Sequence, residues 1–326
     1  MRIIAGVIFA VLVALGALLL FGPREPVRGP IALDETAIAA DPAGYLAWRE
    51  RDVPDLRPGA EKRVIWADPA APGRTARVVV YLHGFSATSE EIRPLPDDVA
   101  AGLGANLVYT RLAGHGRDGD AMAEATVPAW MTDVAEALAV ARAIGDEIIL
   151  IGTSTGGTLA MLAAFDPRMD ADLRALVLIS PNFGVQSPLA PVLTLPFARW
   201  IVPAIGGARR SFEATSPAHA AWWTTDYPTV AVVPMAAAVQ AARALPLARG
   251  ALPLFVAFSP DDAVVDPAAT RAVAQAWGGP VRLQSVVMGE GDDPSAHVIA
   301  GDIMSPGQTA GLTAAILDWL AALPEE

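Results

Sequence analysis

One serine in the sequence has neighbours that could make it a nucleophile. Ser154 is the centre of Gly152-Thr153-Ser154-Thr155-Gly156. An apolar run at residues 148–151 precedes these residues, and a helical pattern at residues 159–165 follows them. A G-x-S-x-G run between a buried strand and a helix is typical of a sharp turn that presents the serine hydroxyl. The same run also arises by chance, but the strand and helix around it favour the functional interpretation.

A serine hydroxyl becomes a good nucleophile only when a neighbouring base takes its proton. The sequence has four histidines. His83 and His115 precede Ser154, whereas the chain order in strand–turn–helix serine enzymes is serine, acid, histidine. His219 lies in a stretch rich in proline and tryptophan, without a strand pattern. His297 follows the last apolar run, so we predict that it is the base.

An acid must orient that histidine, and we expect it at the end of the preceding strand. Two adjacent carboxylates, Asp261 and Asp262, follow the apolar run at residues 253–258. Their spacing alone leaves the choice between them open. Three further aspartates are weaker candidates because they lie farther from the end of that run: Asp266, Asp292 and Asp293.

The tetrahedral intermediate of acyl transfer carries a negative charge that backbone N–H groups stabilise. The residue after the nucleophile, Thr155, is the first predicted donor of this oxyanion hole. The second comes from the loop after an early strand, here His83-Gly84-Phe85-Ser86. In that loop we expect the amide of Phe85 to donate.

Alternating strands and helices are predicted to position these residues. Apolar runs bounded by Gly and Pro indicate strands buried on both faces, and they cover residues 78–82, 106–111, 148–151, 175–179, 253–258 and 281–288. Helical patterns such as residues 129–144 lie between them. The alternation indicates an α/β fold with a mostly parallel central sheet flanked by helices. Ligands bind such sheets at the carboxyl ends of the strands, where the candidate residues lie.

The composition excludes several classes of protein and site. A length of 326 residues fits one α/β domain with an insertion. The net charge of −12 argues against a nucleic-acid partner, whose phosphates attract a surplus of Lys and Arg. The absence of cysteine rules out disulfides, thiolate metal sites, a cysteine nucleophile and a lipid-bearing cysteine.

The N-terminal segment is predicted to be a membrane anchor. Residues 3–22 carry no charge and would form a helix about 30 Å long, enough to cross the hydrocarbon core. A cleaved signal peptide is the alternative, but its apolar region is shorter. We therefore expect a transmembrane helix at residues 1–22, with the catalytic domain in a bacterial periplasm. Residues 23–60 are a predicted stalk, with a short helix that begins at Asp41-Pro42.

Residues 61–326 resemble the α/β-hydrolase superfamily, close to its esterase, monoglyceride-lipase and serine-aminopeptidase-like branch. The resemblance rests on the serine turn, His297 and three short runs: Leu82-His83-Gly84-Phe85, Gly114-His115-Gly116 and Asp262-Ala263-Val264-Val265. In that family one residue and then two aliphatics usually follow the acid, which favours Asp262 over Asp261. The resemblance implies hydrolysis of esters and related acyl compounds without a metal or organic cofactor. The threonines beside Ser154 depart from the His-Ser-Met-Gly of monoglyceride lipases, so monoacylglycerol specificity does not follow.

About seventy residues separate the strand that ends near Pro181 from the strand that starts near Pro253, far more than a usual connection. In this superfamily such an insertion, here about residues 185–250, is a cap over the active site. Its aromatic side chains would suit an acyl chain, although a small core of the cap is the simpler explanation. The resemblance thus favours cleavage of lipid-like or other small carboxylic esters. An acyltransferase, an amide or peptide hydrolase and a catalytically silent binding protein are alternatives on the same fold.

Overall fold

The computed structural model describes residues 2–324, without the side chains of residues 2, 7, 8, 10–12, 14 and 15. The strands are β1 (Arg63–Ile65), β2 (Thr75–Leu82), β3 (Asn106–Tyr109), β4 (Gly145–Thr153), β5 (Leu173–Ile179), β6 (Arg209–Ser211), β7 (Asp226–Pro228), β8 (Leu254–Phe258) and β9 (Val281–Ser285). The α-helices are α1 (Arg2–Phe21), α2 (Glu35–Ala40), α3 (Pro42–Glu50), α4 (Leu95–Leu103), α5 (Val127–Ile144), α6 (Thr155–Ala163), α7 (Ala198–Gly206), α8 (Pro217–Trp222), α9 (Val232–Arg243), α10 (Pro267–Ala276) and α11 (Pro306–Ala321).

One large sheet runs through the molecule in the strand order β1-β3-β2-β4-β5-β8-β9. All neighbouring strands in it are parallel except β1, which pairs antiparallel with β3. Each of the six predicted strands overlaps one strand of this sheet, so the predicted mostly parallel sheet is confirmed. The prediction that all six are buried on both faces is wrong for β9, which is mostly exposed because it lies at the edge of the sheet. The edge strand β1 was not predicted, because three residues are too few to show an alternating pattern.

Helices cover both faces of the sheet. Successive side chains of a strand point to opposite faces, so a single strand contributes side chains to two core clusters. In β2, Val78 and Val80 belong to a core cluster that α5 and α6 complete. Val79 and Tyr81 belong to a second cluster, which α4 and α11 complete. Strands with two buried faces explain why their sequences are continuous apolar runs.

Residues 23–60 pack against the sheet and its helices. Helix α3 begins at Pro42, and the side chain of Asp41 caps it by accepting the N–H of Gly44 at 2.9 Å. The short helix predicted at this point is therefore confirmed. Tyr45 and Leu46 of this helix are buried in the first core cluster, so the segment predicted as a stalk is packed on the α/β domain.

Helix α1 covers the stretch that was predicted to anchor the chain in a membrane. A bilayer-spanning helix needs about 20 consecutive, predominantly apolar residues. Among the residues that the structure describes, no helix meets the requirements of length and apolarity for crossing a bilayer. The structure therefore does not support the predicted transmembrane anchor at residues 1–22. The periplasmic location rested on that anchor alone and has no other support.

The insertion between β5 and β8 holds α7, the antiparallel pair β6–β7, α8 and α9. Its large aromatic side chains divide into two groups: Trp223 and Tyr227 are buried, whereas Trp200 is 65% exposed. The backbone N–H of Thr224 donates to the carbonyl oxygen of Ser86 at 2.7 Å. The insertion thus has buried side chains of its own and contacts the loop that follows β2.

Candidate active site

Ser154 lies in the sharp turn between β4 and α6. Its backbone has a φ of 51° and a ψ of −115°, a conformation that is costly for any residue other than glycine. The N–H of Ser154 donates to the carbonyl oxygen of Ile179 at 2.9 Å, and the N–H of Asn182 donates to the carbonyl oxygen of Ser154 at 3.0 Å. These bonds to neighbouring β5 and its following loop hold the strained turn. Such a strained turn is typical of a catalytic nucleophile.

The two glycines of the turn allow a close approach of neighbouring backbone. A Cβ atom on Gly156 would lie 2.0 Å from the carbonyl oxygen of Leu82, at the end of β2. A Cβ atom on Gly152 would lie 2.5 Å from the carbonyl oxygen of Gly156. Both distances are far below van der Waals contact, so any larger residue would displace the turn that carries Ser154.

His297 lies next to both Ser154 and Asp262. Its Nε2 atom is 3.0 Å from the Oγ atom of Ser154, and its Nδ1 atom is 2.8 Å from the Oδ2 atom of Asp262. Asp262 follows β8 and His297 lies in the loop after β9, so neighbouring strand ends bring them together. With Nδ1–H donating to the carboxylate, Nε2 can accept the serine proton.

Asp262, rather than Asp261, faces the histidine. The Oδ1 atom of Asp262 accepts the backbone N–H groups of Val264 at 2.8 Å and Val265 at 2.9 Å, which leaves Oδ2 for His297. Asp262 is buried, whereas Asp261 is exposed. The structure therefore separates the two adjacent carboxylates that spacing alone could not distinguish.

The three weaker acid candidates make other contacts. Asp266 caps helix α10, and Asp292 accepts the side-chain N–H of Gln308 at 2.6 Å. Asp293 is buried, and its Oδ2 atom accepts the backbone N–H of His297 at 3.0 Å and that of Val298 at 2.8 Å. Asp293 therefore holds the loop that carries the histidine. The sequence marks it only by its position four residues before His297.

The charges around His297 favour its protonated form. Burial by itself lowers the pKa of His297, but the hydrogen bond and charge of Asp262 raise it. The charges of Glu91 and Asp293 add to this rise, and the net pKa lies above the ordinary value of 6.5. A base that becomes an imidazolium during the reaction is stabilised by such surroundings.

The predicted oxyanion donors lie on both sides of the serine turn. Thr155 is the first residue of α6, and Phe85 lies in the loop after β2. The sheet register pairs Leu82 with Gly152, which places that loop beside the serine turn. Within the described part of the chain, neither the Phe85 N–H nor the Thr155 N–H donates to another protein group. Both amides are therefore available to an anionic oxygen.

The other three histidines do not contact the serine hydroxyl. His83 and His115 are fully buried, and the ring of His115 lies 5.6 Å from that of Phe85. Burial lowers the pKa of His83 well below its ordinary value and lowers that of His115 to about 4, so both are neutral at pH 7. His219 lies in α8 of the insertion, where the N–H of Thr215 donates to its Nδ1 atom at 3.2 Å.

Two polar residues near the site were not singled out from the sequence. Gln186 donates from Nε2 to the carbonyl oxygens of Asp262 and Val265, and so holds the turn that carries the acid. Glu91 is buried beside the loop of Phe85. No spacing rule marks either residue, because each reads as an ordinary polar side chain of a surface turn.

Comparison with known proteins identifies the family to which this chain belongs. A family model described as serine aminopeptidase, S33, matches residues 73–286. Among curated proteins no significant match is found.

Several solved structures are similar to this chain. The metagenome-derived lipolytic enzymes LipS and LipT are represented by a structure with 19% identity and a TM-score of 0.62, covering 82% of this chain and 100% of that chain. A soluble variant of monoglyceride lipase from Saccharomyces cerevisiae in complex with a substrate analogue has 12% identity and a TM-score of 0.59, covering 82% and 92%. The monoacylglycerol lipase of Paleococcus ferrophilus has 14% identity and a TM-score of 0.55, covering 80% and 98%. At such identities the likeness is one of fold.

Proposed function

Because the chain belongs to the serine aminopeptidase S33 family of α/β hydrolases, we propose that it cleaves carboxylic esters through an acyl-enzyme on Ser154. The observation that carries this proposal is the continuous hydrogen-bonded chain from Ser154 through His297 to Asp262, with distances of 3.0 Å and 2.8 Å. The strained backbone of Ser154 and two free amides beside it support the same reaction.

In the proposed acylation step, Oγ of Ser154 attacks the acyl carbon while Nε2 of His297 takes the hydroxyl proton. Asp262 keeps the other ring proton on Nδ1 and stabilises the imidazolium that forms. The amides of Phe85 and Thr155 donate to the oxyanion of the tetrahedral intermediate. The imidazolium then gives its proton to the leaving alcohol. A water molecule, deprotonated by the same histidine, hydrolyses the acyl-enzyme in a second round.

Amide hydrolysis is the second candidate, because the matching family is described as serine aminopeptidase. Ester hydrolysis takes precedence because the similar structures reported above are lipolytic enzymes and monoacylglycerol lipases. Rates on p-nitrophenyl esters of graded chain length, compared with rates on aminoacyl p-nitroanilides, separate the two activities. Product analysis with an added alcohol tests whether the acyl group is transferred to an acceptor other than water.

The central test replaces Ser154 with alanine. Ser154→Ala removes the attacking oxygen, so turnover of p-nitrophenyl butyrate should fall by roughly 10⁴ or more. Adding His297→Ala should cost little further, because residues that act as a unit do not lose activity additively. The single variant should also resist a fluorophosphonate probe, since no activated hydroxyl remains.

Ser187→Ala is the control for this experiment, because Ser187 is an exposed serine of the insertion. It should keep both the wild-type rate and the fluorophosphonate label. If folded Ser154→Ala keeps wild-type hydrolysis, or still labels at one site, the nucleophile lies elsewhere.

A further inference from the structure

Glu91 is a buried carboxyl group that the proposed reaction does not use directly. It lies between β2 and α4, and only 2% of the residue is exposed. Within the described residues it forms no ion pair with lysine or arginine. Burial of an ionised carboxyl group without a cation destabilises the fold. Its position beside the candidate site therefore indicates a specific role for Glu91.

The carboxyl group accepts two hydrogen bonds at one oxygen. The backbone N–H of Gly84 donates to Oε2 of Glu91 at 2.7 Å, and the hydroxyl of Tyr81 donates to the same oxygen at 2.9 Å. The Tyr81 oxygen also lies 3.1 Å from Oγ1 of Thr153. When Glu91 is ionised, Tyr81 donates its single hydroxyl proton to Oε2 of Glu91, and Thr153 is then the donor in the second contact.

These contacts connect the two segments that carry the proposed oxyanion donors. Gly84 immediately precedes Phe85, and Thr153 immediately precedes Ser154. The approach of the carboxyl group to the loop is close, since a Cβ atom on Gly84 would lie 2.5 Å from Oε1 of Glu91. Glycine at this position thus permits the contact. Glu91 therefore links the loop after β2 to the end of β4 through the hydroxyl of Tyr81.

We propose that Glu91 is a positioning residue of the reaction, which, through Tyr81, fixes the loop carrying the Phe85 amide against the end of β4, directly before Ser154. This inference rests on the proposed function, because it takes the Phe85 amide as an oxyanion donor. Such donors work only when they are aimed in advance at the developing charge. A displacement of about 1 Å can lower a rate by roughly 100-fold.

The charge of Glu91 also acts on the proposed base. Burial raises the pKa of Glu91 to about 7, although the hydrogen bonds from Gly84 and Tyr81 oppose this rise. In its ionised form Glu91 raises the pKa of His297, and the imidazolium in turn lowers the pKa of Glu91. The charge of each group therefore affects the pKa of the other. Removing the charge of Glu91 should lower the pKa of His297.

Other titratable groups also lie beside Glu91 and His297. The titratable groups that face the two side chains are Tyr81, Asp262 and Asp293. Glu90 is next to Glu91 in the chain, but it forms ion pairs with Arg63 at 2.9 Å and with Arg93 at 3.0 Å. Glu90→Gln is therefore a matched control for the loss of one carboxylate from this turn.

The test compares Glu91→Ala, Glu91→Gln and Glu90→Gln by kcat and KM for p-nitrophenyl butyrate between pH 5 and pH 9. In Glu91→Ala we expect kcat to fall about 10-fold to 100-fold with KM little changed, because oxyanion donors act in the transition state. Glutamine still offers an oxygen to Gly84, so Glu91→Gln should keep kcat at pH 8 within about threefold of wild type. Its acid limb of kcat/KM should move to lower pH, whereas Glu90→Gln should keep the wild-type profile.

Two results would overturn the inference: wild-type kcat in folded Glu91→Ala, or an unmoved acid limb in Glu91→Gln. Circular dichroism shows whether each variant is folded. If Glu91→Ala does not fold, the inference is tested by the pH profile of Glu91→Gln. Fluorophosphonate labelling of the wild-type enzyme separates this inference from the proposed function. If the wild-type enzyme is labelled at Ser154 but the Glu91 variants behave as wild type, only the positioning role of Glu91 is refuted. If the wild-type enzyme is not labelled at Ser154, the proposed nucleophile is refuted.

Discussion

Replacing Asp262 with asparagine tests how the acid acts on the histidine. Oδ1 of Asp262 accepts the N–H groups of Val264 at 2.8 Å and Val265 at 2.9 Å, while Oδ2 lies 2.8 Å from Nδ1 of His297. An asparagine keeps both backbone bonds only if its oxygen stays at the Oδ1 position. Its NH₂ group must then face His297, so the ring accepts at Nδ1 and carries its proton on Nε2, towards Ser154.

A histidine with its proton on Nε2 cannot accept the hydroxyl proton of Ser154. We therefore expect Asp262→Asn to lower kcat by about 10⁴, or about 5.5 kcal/mol of transition-state stabilisation, with little change in KM. Buried hydrogen bonds to Oδ1 make this orientation of the amide the favoured one, which is why the loss is large. The measurement is steady-state kinetics with p-nitrophenyl butyrate, together with the rate of fluorophosphonate labelling, which should slow in parallel.

Asp261→Asn is the matched control, because Asp261 is exposed and lies one residue from the acid. It should change kcat by less than about twofold, because the exposed side chain of Asp261 does not contact His297. A larger loss at Asp261 than at Asp262 would refute the tautomer reasoning. So would an Asp262→Asn variant whose kcat lies within about tenfold of wild type.

Two further predictions concern pH and stability. Burial lowers the pKa of His297, but the neighbouring carboxylates raise it more. The acid limb of the pH profile of kcat/KM should therefore have its midpoint above 6.5, the ordinary pKa of histidine. A midpoint below 6.5 would contradict the carboxylate surroundings of His297. Lys62 lies 2.7 Å from Asp133 and also pairs with Glu136, all three being buried. Lys62→Met leaves two carboxylates without this cation and should lower the free energy of unfolding in urea by about 3–5 kcal/mol. Arg51→Met, which breaks an exposed pair with Asp52, should cost less than about 1 kcal/mol. Equal losses in the two variants would show that burial of the Lys62 network does not add to its contribution.

The strands and helices of the fold could be predicted from the sequence because they depend on residues that are close together in the chain. Buried strands of a parallel sheet appear as continuous apolar runs, and all six predicted strands overlap strands of the large sheet. The edge strand β9 is the exception to burial. The cap of α3 at Asp41-Pro42 could be predicted for the same reason, since it depends on adjacent residues only. At the N-terminus, the described helices do not support the predicted membrane span.

Part of the candidate site could also be predicted from the sequence. The serine turn at Ser154 is a run of five residues, and chain order together with four histidines points to His297. The choice between Asp261 and Asp262 needed either a family pattern or a distance. The structure supplies the distance, since Oδ2 of Asp262 lies 2.8 Å from a histidine 35 residues away.

Only the tertiary structure revealed what Glu91 and Asp293 contact. In the sequence Glu91 looks like an ordinary polar residue of a surface turn and Asp293 is only a weaker candidate for the acid, yet both are buried beside the proposed base. Their significance depends on burial and on partners from other segments, such as Tyr81 of β2 and the backbone of His297. Propensity and periodicity describe neighbours along the chain, so they determined the strands, the helices and the serine turn. The electrostatics of the site arise from groups that meet only when separate strands form one sheet, and no local pattern records those distances.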